Sequence, residues 1–531
     1  MVSAIQAMKL LCGQKILFIF GVAVFWGTAL RANLEVTGVT TFRAVTTNLD
    51  GAGIRVAQPE GYVDGNPQAW EITPAIVGQP GSRFTYTSAL GTTNVYPNSL
   101  GTNSWHAEAV GQALYGIPFG VATNVARVDS YEAEYFITSI VGTLTAISDP
   151  IVNQSFSDSL ASQSYYDPIY DNYAAQYGTL FISGAGNSAG RPTEPPSTCY
   201  NGISVAAFGP GNVSCVGPTA DGRCKPELTV PNPYTSFSTP YVSGAAAVLL
   251  QAGLRGDGGP KTNLAADVRT MKALLLNGAV KPLGWTNDSS KPLDARHGAG
   301  MLNIVNAYYQ LAGGKQGSIV SNLVTAGAAH PPTSDPGTVP VLSGWDFGTN
   351  TSASGPSRDA IHHYYFNVTN NLSGAKFTAT ATLVWNRHQN KTGINNLNLF
   401  LYNCANSNLV LCSTSLVDNV EHIYKTNLAQ GRYDLQVWKA GGATVVSASE
   451  TYALAFEFFA DTLGITKSGT NTMLTWPVYP AGFLVEGTTN LISPNWTTNN
   501  LAPASITNNL NTLPLNATNG NQFFRLRRPN F

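Results

Sequence analysis

Between about Val56 and Gly314, short apolar runs alternate with segments whose apolar residues recur every three or four positions. The runs IRVAQ, ATNVARV, PIVNQSF, TLFISGA and GISVAAFG predict strands. The segments HAEAVGQALYG, DPIYDNYAAQYG, TSFSTPYVSGAAAVLLQ and MKALLLNGAV predict helices. Strands and helices in alternation predict an α/β domain over 33–314, built on a mostly parallel sheet with helices on both faces. After Gly314 the helical spacing stops. Pro, Gly, Ser and Thr dominate 315–358, which predicts a linker or irregular β structure. HYYFNVT, TATATLVW, LNLFLY, RYDLQVW and YALAFEFF then alternate with the period of a strand, and they predict a β-sandwich over 359–460. From 461 to 531, MLTWPV, GFLVEGTT and QFFRLRR predict a small all-β module.

The N-terminus changes the setting of these domains. Lys9 and Lys15 precede the apolar run ILFIFGVAVFWGTAL, with small residues at Ala29 and Ala32. This layout predicts a signal peptide over 1–32 and an exported protein, secreted or at the cell surface. No later stretch is long and apolar enough to span a bilayer, so stable membrane insertion is not expected. About thirteen residues then separate the expected cleavage site from Thr46, too few for a folded inhibitory propeptide. Charged residues make up 11% of the chain and the net charge is −1, which argues against a nucleic-acid partner. Export also changes how cysteines read. Cys12 leaves with the signal, and Cys404 and Cys412, flanking ANSNLVL, predict a disulfide across a hairpin. Cys215 could pair with Cys224, leaving Cys199 odd, and pairing Cys199 with either is equally allowed. None has the spacing of a zinc site, and no Asp-rich loop of the calcium type is visible.

Four strand or helix ends carry candidate chemistry. VAQPEG places the carboxylate of Glu60 at the end of the first strand, where ligand sites of open α/β sheets lie. TLFISGAGNS ends a strand in Gly-Ala-Gly-Asn, so that Asn187 can aim an amide N–H at a developing oxyanion. Ser236 stands where a helix N-terminus adds backbone donors and the positive end of its dipole. His106, before His297 the chain's only histidine, opens the helix HAEAVGQALYG on its apolar stripe.

TSFSTPYVSGAAAVLL resembles the serine motif of the subtilisin family, and HAEAVGQALYG with GVATNVARVDSY resembles its histidine helix and following strand. FISGAGNS resembles its oxyanion segment, KPELTVP the lead-in to its serine, and HGAGMLNIVNAYYQL its C-terminal helix region. The resemblance covers roughly 45–314 and keeps the order acid, histidine, asparagine, serine. It implies a serine endopeptidase with Ser236 as nucleophile, His106 as base, Glu60 in the place of the usual Asp, and Asn187 in the oxyanion hole. Asp64 is the alternative acid. It also implies a substrate pocket walled by Ser155, Phe156 and Ser157 on one side and Gly184, Ala185 and Gly186 on the other. Those six carry no charge, so broad cleavage after medium or large apolar residues is expected. No cofactor is required, and structural calcium is possible in such a family. Tyr234 stands where the family has Gly and implies a reshaped or more crowded entrance. The downstream modules resemble those appended to secreted bacterial peptidases, with scaffold, substrate binding, or surface or matrix attachment as their roles. Polypeptides are the expected partners. The alternative to a peptidase is a catalytically weak relative acting as an extracellular binding or adhesion protein.

Overall fold

The computed structural model describes residues 33–531 except 47, 159–161, 323–336, 353–358, 370–375, 442–444, 461–462, 469–470, 478–482, 494, 499–502, 504, 508–509, 516–520 and 528–531. The expected signal peptide, with Cys12, lies outside the described residues.

An eight-stranded sheet organises the first domain. Its strands are β1 (Arg55–Glu60), β2 (Phe84–Ser88), β3 (Gly91–Thr93), β4 (Arg127–Glu132), β5 (Ile151–Gln154), β6 (Leu180–Gly184), β7 (Ile203–Phe208) and β8 (Leu228–Pro231). They lie in the order β8-β7-β6-β5-β1-β4-β2-β3, and every pairing is parallel except β2 with β3. Alternate side chains serve opposite layers. Val56, Ile151 and Ile182 enter the larger core, while Ala57, Val152 and Phe181 enter a second core on the other face. A sheet covered on both faces needs nearly continuous apolar strands, which explains the unbroken runs in the sequence.

The longer helices of this domain are α1 (Trp105–Leu114), α2 (Gln163–Tyr177), α3 (Thr235–Arg255), α4 (Val268–Asn277) and α5 (Ile304–Ala312). Three start on side-chain caps. Ser104, Asp267 and Asn303 accept from the N–H groups of Ala107, Arg269 and Asn306 respectively, as helix starts require. The expected strand over ATNVARV begins later than its apolar pattern suggests, at Arg127. The hairpin of β2 and β3 had no counterpart in the sequence reading.

Two further sheets form the sandwich. One contains Val320–Asn322, Ile361–Val368, Gly431–Lys439, Leu397–Asn403 and Asn408–Ser413; the other contains Ser343–Thr351, Ser449–Phe459, Phe377–Trp385 and Val420–Leu428. Two of these strands come from 315–358, so that segment is part of the sandwich sheets as well as a connection. Sandwich and α/β domain share one core: Trp345, Val384, Val420, Ala453 and Ala455 belong to the same buried cluster as Leu274 of α4 and Leu311 of α5. Polar groups stitch the same boundary. Asn277 Oδ1 accepts from Thr380 and Thr382 at 2.9 and 3.1 Å, and Gln310 Nε2 donates to Glu457 at 3.1 Å. The last module holds a four-stranded and a two-stranded sheet. In it, Arg525 pairs with Glu486 and lies over the Trp496 ring, 4.3 Å from its centroid.

The cysteine expectation needs correction. Among the described residues no disulfide joins Cys199, Cys215, Cys224, Cys404 or Cys412. The hairpin register sets Cys412 opposite Phe400, while Cys404 lies beyond the end of its strand, so the two are out of step along the ladder.

Candidate active site

The carboxyl ends of β1, β5 and β6 converge with the N-termini of α1 and α3. Glu60 ends β1 and shares a face with Gln58, by the two-residue period of the strand. That face looks onto α1. His106 is the second residue of α1, and its Nδ1 lies 2.9 Å from Glu60 Oε2. The other Glu60 oxygen accepts from Gln58 Nε2 at 2.8 Å. Gln58 Nε2 also donates to the Ala107 carbonyl at 3.0 Å, which fixes which end of the amide is nitrogen, since a carbonyl only accepts. Gln58 Oε1 in turn accepts from Tyr115 O–H at 2.6 Å. Glu60, Gln58 and Tyr115 are buried, so this relay is shielded from water. Burial lowers the His106 pKa, but the charge and hydrogen bond of Glu60 outweigh it and leave the imidazole above its ordinary value. The same buried carboxylate adds to the burial that drives the Tyr115 pKa well up.

Asp64 is not brought to the histidine. It is exposed, at φ +56, and its Oδ2 accepts from the Trp105 indole at 3.0 Å.

Ser236 is the second residue of α3 and is half-buried. Its N–H is among the donors at a helix start that have no intrahelical partner. Pro240 shapes the rest. A proline has no N–H to offer the carbonyl four residues back, which is that of Ser236. Ser155 Oγ fills the gap, donating to the Ser236 carbonyl at 2.8 Å. Ser236 Oγ returns the contact, donating to the Ser155 carbonyl at 3.0 Å. No hydrogen bond links Ser236 Oγ to His106 in this rotamer, although His106 packs against the neighbouring Phe237 with ring centroids 5.7 Å apart. Tyr234 precedes Thr235 with its ring centroid 6.3 Å from that of Phe237. Its backbone is extended, φ −125 and ψ 142, which any residue adopts, and its ring is exposed.

Asn187 follows β6 and is anchored through its oxygen. Oδ1 accepts from the Thr235 N–H at 2.9 Å and from Thr235 Oγ1 at 3.1 Å. A backbone N–H can only donate, so the Nδ2 donors point away from Thr235 and are left for a ligand. Ser155, Phe156 and Ser157 follow β5, and Gly184, Ala185 and Gly186 end and follow β6. A Cβ on Gly184 would meet Thr235 Oγ1 at 3.0 Å, so this wall passes close under the start of α3.

A residue missed by the sequence reading joins the walls. Glu194 N–H donates to the Ala185 carbonyl at 3.0 Å, and its carboxylate accepts from Ser157 Oγ at 2.6 Å and Ser188 Oγ at 2.8 Å. Nothing in its local sequence, RPTEPP, marks it. Among the described residues, no group of three or more His, Cys, Asp or Glu side chains is placed to hold a metal ion.

A family model described as the subtilase family matches residues 94–300. This chain carries a subtilase domain. The match takes in His106, Asn187 and Ser236 and begins after Glu60. The subtilase assignment makes the chain a serine-type peptidase acting on peptide substrates. No curated protein matches the sequence. Solved structures similar to it include the self-cleaved protease domain of PatA, at 22% identity over 50% of this chain and 99% of that one, TM-score 0.35. Another is the prenylagaramide maturation protease PagA, at 21% identity over 52% and 98%, TM-score 0.36. Proteases from Pseudoalteromonas arctica match at 17% identity over 49% and 91%, TM-score 0.34. In the described part of this subtilase no helix is long and apolar enough to cross a membrane.

Proposed function

We propose that this subtilase is an exported serine endopeptidase, bacterial in type, working through Ser236, His106 and Glu60. The observation that carries the reading is the 2.9 Å contact between His106 Nδ1 and a buried Glu60 held from behind by Gln58 and Tyr115. With Nδ1–H donated to Glu60, the lone pair of the imidazole is left on Nε2, ready to take the Ser236 proton. The Ser236 hydroxyl reaches it by turning about its side-chain bond and giving up the Ser155 carbonyl. Attack on a peptide carbonyl then puts negative charge where Asn187 Nδ2 and the Ser236 N–H can donate, at the positive end of α3. Glu60 stabilises the imidazolium, and His106 returns the proton to the leaving amine. Export rests on the layout of residues 1–32.

A second reading, a weakly active relative serving as a binding protein, is favoured by the Ser236 rotamer, which faces Ser155. Fluorophosphonate labelling of the full chain separates the two. Labelling of wild type, with none in Ser236→Ala, supports the nucleophile. The substitution should also abolish cleavage of casein, since losing the serine costs about 10⁶ in turnover in subtilisin itself. Undiminished cleavage by Ser236→Ala would exclude Ser236.

A further inference from the structure

The two walls of the substrate pocket are neutral, but the residue that spans them is not. Glu194 is tied by its backbone to Ala185 in one wall and by its carboxylate to Ser157 in the other. The next residue repeats the cross-tie, its Pro195 carbonyl accepting from the Asp158 N–H at 2.9 Å. The carboxylate therefore bridges the two expected walls. Gly186 makes the space for it: at φ +104, a Cβ there would lie 2.5 Å from Glu194 Oε2.

Among the described residues this carboxylate forms no ion pair, although the charge of Arg191 is felt at the adjacent Cys215. Both oxygens are hydrogen-bonded by neutral hydroxyls, Ser157 on one and Ser188 on the other. Arg191, the nearest cation along the chain, is exposed and makes no ion pair with it. The buried Cys215 thiol lies beside it, and burial first, with Glu194 contributing, pushes that thiol up to about 11, so Cys215 supplies no charge. An apolar side chain filling the pocket would strip water from Glu194 and return nothing, whereas an ammonium or guanidinium would form a charge-assisted bond to its free lone pairs.

We propose that Glu194 determines specificity and that the preferred substrates are peptides with Lys or Arg on the acyl side of the cleaved bond. This replaces the expected apolar preference and rests on the peptidase reading above. A site built around a polar group discriminates far more strongly than an apolar slot does.

The test uses the full chain and quenched peptides identical except for Lys, Arg, norleucine or Phe at that position. Lysine and norleucine share a linear stem and differ in the ammonium. Wild type should cleave the Lys and Arg peptides at least about tenfold faster in kcat/KM than norleucine. Glu194→Gln keeps the size of the side chain and should lose that ratio, through a fall in kcat/KM for the Lys and Arg peptides. Norleucine or Phe preferred by wild type, with the ratio unmoved in Glu194→Gln, would make Glu194 a mere tie between the walls and overturn the proposal. The wild-type profile alone decides the matter if the variant does not fold. Loss of fluorophosphonate labelling in wild type would instead strike the peptidase reading.

Discussion

Two buried acids flank β1, on opposite faces and toward opposite ends. Glu60, at its carboxyl end, has one oxygen on Gln58 and the other on His106. Asp149, just before β5, has no hydrogen-bond donor on either oxygen, and its neighbours are Asp129 and, at 3.8 Å, Arg55 Nε. Burial, then the charge of Asp129, pushes the Asp149 pKa up to about 8. Both acids have lost water, yet Glu60 received hydrogen-bond partners on both oxygens while Asp149 received a 3.8 Å ion pair and a second carboxylate. A low-dielectric site makes a carboxylate useful only when each oxygen is committed, because an uncommitted one takes up a proton instead.

The largest effect should come from uncoupling Glu60. Glu60→Gln keeps the volume but offers an amide that can favour the wrong imidazole tautomer, and turnover should fall by about 10⁴, as for the equivalent change in a triad of another fold. The pH profile sharpens the point. Activity needs neutral His106, whose pKa Glu60 raises, so the acid limb of kcat/KM should lie above the ordinary imidazole value in wild type. In Glu60→Gln burial acts alone and lowers the pKa, so the limb of the residual activity should move to lower pH. A limb that stays put would mean that Glu60 does not act on the base.

A smaller effect should follow from cutting the relay one step back. Tyr115→Phe removes the donor to Gln58 Oε1 and strands a buried acceptor. Urea unfolding should show a loss of about 1–3 kcal/mol. Activity should fall far less than in Glu60→Gln, because Gln58 keeps its second anchor on Ala107.

The smallest effect on activity belongs to Asp149. Its proton is held in the folded state and released near pH 4 when unfolded, so the stability this gives is full below about pH 4 and is lost as pH rises to about 8. Asp149→Asn should therefore melt like wild type at pH 4, gain an increasing advantage toward pH 8, and hold it beyond. Its kcat/KM should stay within about twofold at every pH. A large activity loss would show that the two faces of the sheet are coupled.

The α/β domain was legible because β1, β5, β6 and β7 are buried on both faces and need apolar runs, and because α1 keeps its helical stripe. Ser236, Asn187 and His106 were legible because each stands at an element end with a distinctive neighbourhood. Glu60 was distinguished from Asp64 only in three dimensions: the strand period aims Glu60 and Gln58 at α1, while Asp64 sits past a turn with Trp105. Glu194 could not be read from its surroundings, since its role comes from tertiary contacts to Ala185, Ser157 and Ser188. The disulfides failed for a related reason: spacing along the chain says nothing about ladder register, which sets Cys412 against Phe400.

The core shared between the α/β domain and the sandwich bears on how such a chain can change over generations. Leu274 and Leu311 lie in one buried cluster with Trp345, Val384 and Ala453, so neither gene segment can be lost or exchanged without leaving an open apolar wound on the other. A stop codon near the end of α5 would release a sticky fragment rather than a smaller enzyme. The boundary most open to recombination is accordingly not the edge of the catalytic fold but the passage from the sandwich to the last module, whose smaller leucine and tryptophan core takes in Phe459 of the sandwich, with Ile506 packed on the larger core.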